Sequence, residues 1–242
     1  MNDKKYDRIL AKIENRLANF EINGKITKLT KLRSIEENIL EEIKNGAENI
    51  IVAGDDNTLL KIINIVADYD IVLGMIPLGE EIEIAKMLGM PYGEEACEIL
   101  SSRKIEVIDL GKINNRYFLS NVKLGSNNIE IICGESYKIT PIVKSDIKIC
   151  NIYNHSIAGK KKYFDPRDGF LEIVATHNQS FSDKLFKREK LEESVFPIKR
   201  AVIKAEKSIT IAVDKETILK TPLEITVAPK KLKIIVGKDR IF

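Results

Sequence analysis

The chain has 242 residues, 44% hydrophobic and 31% charged, and its 39 basic and 36 acidic residues leave a formal net charge of +3. That composition excludes disordered, collagen-like and disulfide-scaffold classes, and the length suffices for one large core or two small ones. So slight a charge, spread over both ends, offers no basic stripe for nucleic acid, which is excluded as a leading partner.

Three widely spaced cysteines, Cys97, Cys133 and Cys150, with no CxxC, read as reduced thiols. No apolar run reaches the ~18 residues of a membrane helix, and the charged N-terminal segment lacks a secretory apolar region. A cytoplasmic location without a transmembrane segment is therefore expected.

Tyr6, Ile9, Ile13, Leu17 and Phe20 recur every three or four residues and predict a helix that stops near Asn23-Gly24. A short strand around 25–29 is expected next. Ser34-Ile-Glu-Glu37 is a capping box, Ile35, Ile39 and Ile43 share a helical face, and Gly46 ends the helix. Two apolar runs, Asn49–Ala53 and Ile71–Ile76, read as parallel strands covered on both faces. The stripe Leu59, Ile62, Ile63 and Val66 makes a helix between them, completing a βαβ unit.

Beyond residue 102 the pattern changes to short strand-like runs at 104–110, 115–122, 129–133, 136–143, 147–152, 170–176, 199–205, 208–213, 223–227 and 231–236. Turn residues separate them, among them Asn114-Asn115, Asp168-Gly169 and Pro229-Lys230. Only 180–195 reads as helical, with a loop as the alternative, and Lys160-Lys161-Lys162 reads as a solvated loop. The chain is thus read as an α/β lobe over 1–101, Rossmann-like with a parallel sheet, followed by a β-sandwich lobe over 102–242.

In open parallel sheets ligands bind beyond the carboxyl ends of strands, where helix N-termini offer unpaired N–H groups. Gly54-Asp55-Asp56-Asn57-Thr58 and Pro77-Leu-Gly79-Glu80-Glu81 are two such strand-to-helix turns. The plain alternative is that the glycines make tight turns and the acids cap helices, worth ~0.3–1 kcal/mol at each N-terminus. Gly54 stands alone, without the GxGxxG of a dinucleotide site, and His155 and His177 are isolated.

Residues 49–91, from Asn-Ile-Ile-Val-Ala-Gly-Asp-Asp-Asn-Thr to Leu88-Gly-Met-Pro91, resemble the diacylglycerol kinase-like lipid kinases, whose pattern there is GGDGT, PLGTGND and LGIP. The resemblance continues in Ile108-Asp-Leu-Gly-Lys112 with Arg116-Tyr-Phe118, in Asp165-Pro-Arg-Asp168-Gly-Phe-Leu171, and in Val213-Asp-Lys-Glu216 with Thr221-Pro222-Leu223. It implies a fold like that of NAD kinases and diacylglycerol kinases. The implied reaction passes the γ-phosphoryl of ATP to a lipid hydroxyl, with ATP and Mg²⁺ as cofactors and a cleft between the lobes as the nucleotide site. By position Asp56 and Glu216 would be the catalytic carboxylates, and Gly54, Asp55, Asn57, Thr58, Gly79 and Glu80 would line the nucleotide. Asp168, with the carbonyls of Asp165 and Phe170, would form the family's structural magnesium loop, although an Asp-Gly turn accounts for Asp168-Gly169 equally well.

Departures from the family pattern shape the functional expectation. By this matching the chain starts after the family's first strand, so one wall of the ATP cleft is expected to be missing. Asp55 and Asn57 replace glycines, and Glu80, Glu81 and Glu83 stand in the stretch where the family has TGND. A carboxylate ~5 Å from a phosphate charge costs on the order of 3 kcal/mol at an effective dielectric near 20, about a hundredfold in affinity. Ordinary ATP binding is therefore doubtful, and a degenerate relative with reduced or no kinase activity is favoured. The alternative is an active lipid kinase with unusual metal use. A lipid substrate, location at the membrane periphery and homodimerisation through sheet edges are the further expectations.

Overall fold

A computed structural model of the chain describes residues 4–28, 34–125, 128–135, 137–141, 145–157, 160–177, 193–214 and 217–242. The chain divides into two compact units, Met1–Val107 with Leu232–Ile241, and Ile108–Lys231 with Phe242.

In the first unit α1 (Lys4–Asn19) packs on α5 (Ala96–Ser102). The strand expected after it does not form over 25–28, which has no regular structure; residues 29–33 lie outside the described residues. Lys25, Thr27 and Lys28 leave Ile26, itself exposed, as the one apolar side chain of that stretch, too little to repay ordering. α2 (Ile35–Lys44) starts on the predicted capping box: Ser34 Oγ accepts from Glu37 N–H at 3.0 Å and the Glu37 side chain accepts from Ser34 N–H. β1 (Asn49–Gly54), α3 (Asp56–Val66) and β2 (Val72–Pro77) form the βαβ unit, with β1 parallel to β2 from Asn49 opposite Val72 to Gly54 opposite Pro77.

β2 is buried along its whole length, as an apolar run in a parallel sheet should be. β1 is not: Asn49, Ile51 and Ala53 are exposed. The expectation of cover on both faces fails for β1 because it is an edge strand, with β2 as its only strand neighbour among the described residues. After α4 (Glu83–Met87) and α5, the unit is completed from the other end of the chain, where Lys233 and Ile234 pair parallel with Val72 and Leu73.

The second unit is two antiparallel sheets on one core. In the first, β16 (Leu223–Ile235), β13 (Arg200–Ala205), β6 (Ile129–Cys133) and β7 (Tyr137–Ile139) lie side by side. β3 (Ile105–Ile113) pairs with β16 and with β4 (Arg116–Phe118) in the same sheet. The second sheet has the order β12 (Glu193–Ile198), β11 (Leu171–His177), β8 (Ser145–Cys150), β5 (Asn121–Gly125), β14 (Thr210–Val213), β15 (Thr217–Lys220). Alternate residues of the two sheets, among them Ile131, Ile203 and Ile225 from one and Val122, Ile149 and Ile173 from the other, fill the core.

Three expectations are corrected here. Pro229-Lys230 is no turn: β16 runs unbroken from Leu223 to Ile235, because Lys230 adopts φ 52 and gives its N–H to a buried carboxylate, that of Asp109. The lysine triplet is a strand, β10 (Lys160–Tyr163), paired antiparallel with β9 (Asn154–Ile157). Of the helix expected over 180–195, residues 193–195 belong to β12, where Val195 pairs with Val174; 180–192 lie outside the described residues. All three cysteines are buried and free.

Candidate functional site

At the end of β1 the chain turns through Gly54 into α3, whose N-cap is Asp55. Asp55 Oδ1 accepts from Thr58 N–H at 2.9 Å and from Thr58 Oγ–H at 2.6 Å. Asp56, the first residue of α3, is buried and faces the next turn. Its carboxylate accepts from Ile84 N–H at 2.8 Å and Ala85 N–H at 3.1 Å, both in the first turn of α4, while its own N–H donates to the Glu81 carbonyl at 2.8 Å. The Gly54 carbonyl accepts from Leu78 N–H at 2.8 Å.

The two strand-to-helix turns are therefore locked together, and most of the residues named from the sequence meet here. Gly79, at φ 100, places its α-carbon beside Asp55: a β-carbon there would stand 3.6 Å from that of Asp55. Asn57 and Thr58 are half-buried in the first turn of α3, and Glu80, Glu81 and Glu83 are exposed. Helix N-terminal N–H groups and a hydroxyl are the usual cradle of a phosphate. Those of Thr58, Ile84 and Ala85 already hold carboxylates of the chain itself.

In the second unit the loop 165–170 is tied from below. Asp109, 1% exposed, accepts from Gly169 N–H at 2.8 Å through one oxygen and from Lys230 N–H at 2.6 Å through the other, and gives its own N–H to the Pro166 carbonyl. Asp165 is held by Arg167, with bonds of 2.7 Å from Nε and 2.9 Å from the terminal nitrogen, and the guanidinium pulls its carboxyl below the usual range. Asp168 Oδ1 accepts from Phe170 N–H at 2.9 Å, the local bond of an Asx turn. Burial pushes the Asp168 carboxyl up, with Phe170 N–H opposing and the charges of Asp165 and Asp109 adding to the rise.

A hard divalent cation needs six or more oxygens. At this loop one carboxylate is neutralised by arginine and the other bonds its own backbone, and among the described residues no group of three or more acidic, His or Cys side chains could hold a metal. The loop's own hydrogen bonds account for its shape without one.

Glu216 and Lys215 lie outside the described residues. Their neighbour Asp214 is described and was not singled out from the sequence. Its carboxylate accepts from Leu119 N–H at 3.0 Å, Ser120 N–H at 2.9 Å and Asn121 N–H at 3.0 Å, and its own N–H donates to the Asn121 carbonyl. Burial pushes its pKa up to about 6 against the pull of those three N–H groups. Asp109 was likewise missed as a structural acid. The available signal was a single acid among apolar strand residues, as in Ile108-Asp-Leu110 and Val213-Asp214. Such an acid is buried only when bonded.

The diacylglycerol kinase catalytic domain family matches residues 2–113. Two Staphylococcus aureus proteins, from strains JH9 and N315, described as candidate lipid kinases, are each 23% identical, the alignment covering 81% of this chain and 80% of theirs. The crystal structure of a diacylglycerol kinase from Bacillus anthracis str. Sterne superposes with a TM-score of 0.77 at 21% identity, covering 97% of this chain and 93% of that one.

The fold is thus like that of the Bacillus anthracis structure, an α/β part with parallel strands and an antiparallel β part. The match to the diacylglycerol kinase catalytic domain family lies over the α/β part, where the sequence motifs that resemble that family also stand. Among the described residues no helix is long and apolar enough to cross a membrane.

Proposed function

We propose that this chain is a degenerate lipid kinase relative, in which phosphoryl transfer from ATP to a lipid hydroxyl is reduced or lost. The single observation that carries the reading is the capping of α3 by Asp55, which stands where the family pattern has a glycine. A triphosphate entering this turn has to displace charge-assisted bonds, each worth roughly 1.5–3 kcal/mol, before it gains any of its own. It also meets Asp55, Glu80 and Glu81, and each carboxylate at ~5 Å adds on the order of 3 kcal/mol of repulsion.

With the N–H groups of both turns already bonded to carboxylates, the site does not fit ATP bound in the ordinary way, so no step is derived through it. What these residues do is structural. Asp56 joins α3 to α4, Asp55 starts α3, and Asp109 and Asp214 hold loops of the β unit. Any lipid recognised at the membrane periphery would on this reading be bound rather than phosphorylated.

Thermal unfolding with and without millimolar Mg-ATP tests the reading. A ligand at 100 times its Kd adds ~2.7 kcal/mol of stability, and no shift is expected for the natural chain. Asp55→Gly with Glu80→Thr removes two of the charges, keeps a residue acceptable at an N-cap, and should gain a shift. Transfer of labelled phosphate from ATP to diacylglycerol in mixed vesicles by the natural chain, abolished by Asp56→Asn, would overturn the proposal.

A further inference from the structure

Among the described residues β1 has a strand neighbour on one side only, and its other edge is apolar. Val72 N–H donates to the Glu48 carbonyl and Leu78 N–H to the Gly54 carbonyl, so the even-numbered positions turn their backbone groups toward β2. The odd-numbered ones, Asn49, Ile51 and Ala53, turn theirs outward. The strand, Asn-Ile-Ile-Val-Ala-Gly, carries no charge and no proline, the usual guards of an edge. Ile51 is 37% exposed, and Ala53 is exposed on the same face.

We propose that this edge pairs antiparallel with the same edge of a second copy across a two-fold axis, Val52 facing Val52. An antiparallel pair exchanges hydrogen bonds only between outward-facing residues, so odd positions must meet odd positions. That rules out any register setting Glu48 opposite Asp55. Two registers remain near the strand's centre: Ile51 on Ile51, or Val52 on Val52 with Ile51 opposite Ala53 and Asn49 opposite Asp55.

Charge selects the second. An Arg103 terminal nitrogen donates to Asn49 Oδ1 at 3.0 Å, which holds a guanidinium at the start of β1. This register brings it to the partner subunit's Asp55, and the two-fold repeats the pairing. Asp55 caps α3 through Oδ1, which leaves Oδ2 for the guanidinium. The pairing takes up the sheet-edge association expected from the sequence and rests on no part of the nucleotide reading. A six-residue strand buries little area, so the dimer is weak and reversible.

Sedimentation equilibrium of the full chain over a range of concentrations, with amide hydrogen exchange read residue by residue, tests this. Expected are a monomer–dimer equilibrium weakened by salt, and Ile51 and Ala53 amides protected in concentrated samples and exchanging on dilution. Asp55→Asn, which keeps an N-cap, and Arg103→Gln should each weaken the dimer roughly 2- to 30-fold, the double variant no further than either alone. Ile51→Lys should give a monomer with unchanged circular dichroism. A chain monomeric at every concentration overturns the proposal. So does a dimer indifferent to Ile51→Lys or Asp55→Asn, or protection of Ile51 and Ala53 that does not change on dilution.

Discussion

Asp214 and Asp56 are buried carboxylates with different electrostatic consequences. Asp56 spends its charge on two N–H groups of α4 and so fixes the distance between two turns. Asp214 accepts three N–H groups at the start of β5, yet burial outweighs them and its pKa rises to about 6 from an ordinary 3.8. A raised folded pKa means that the folded state holds its proton over a pH range in which the unfolded chain has lost it. The stabilising contribution is then complete below about pH 4 and is lost as pH rises through 6. The predicted loss between pH 4 and pH 7 from this one group is about 2 kcal/mol. Urea denaturation at a series of pH values measures the slope, and the Asp214 carboxyl carbon resonance should titrate near 6; a midpoint below 4 contradicts the assignment.

Among the elements, the return of the C-terminal segment to the first unit depends on two glycines. Gly237 N–H donates to the Leu88 carbonyl at 2.9 Å and Ile241 N–H to the Met87 carbonyl at 3.0 Å. A β-carbon on Gly237 would stand 1.9 Å from the Gly89 carbonyl oxygen, and one on Gly89, at φ 72, would stand 2.6 Å from the Arg240 nitrogen. Both clashes are with backbone, which cannot swing away. Gly237→Ala is predicted to destabilise the protein by about 3 kcal/mol, the upper end for overpacking. Gly24→Ala, with nothing within 4 Å of the new carbon, should stay within about 0.5 kcal/mol. Equal losses in guanidinium melts would disprove the close-approach argument. Leu88-Gly-Met-Pro91, met in the sequence as part of a kinase signature, thus has a packing reason for its glycine.

For the molecule as a whole, the first unit is built from both ends of the sequence. Leu232, Ile234, Ile235 and Val236 are all buried, and the segment pairs with β2. A chain ending at Lys231 would leave one side of β2 unpaired and its apolar face uncovered. Such a truncation should lose the cooperative unfolding of residues 34–107, seen as collapse of amide dispersion there; a native spectrum for that region would show the segment to be dispensable.

Much of this was legible locally. The capping box, the α3 stripe, the β1 and β2 runs and most short strands follow from periodicity and turn chemistry, which act over a few residues. The same patterns carried the parallel α/β part and the antiparallel part that follows it, and the order of motifs carried the resemblance to lipid kinases. Tertiary structure alone decided that β1 is an edge, that β16 passes through Pro229-Lys230 without turning, and that Asp56 faces the N–H groups of α4 rather than those of its own helix. The reason is that a strand's burial and a carboxylate's partner depend on residues distant in sequence, such as Asp109 for Lys230 and Ile84 for Asp56. Local propensity carries no information about those pairings.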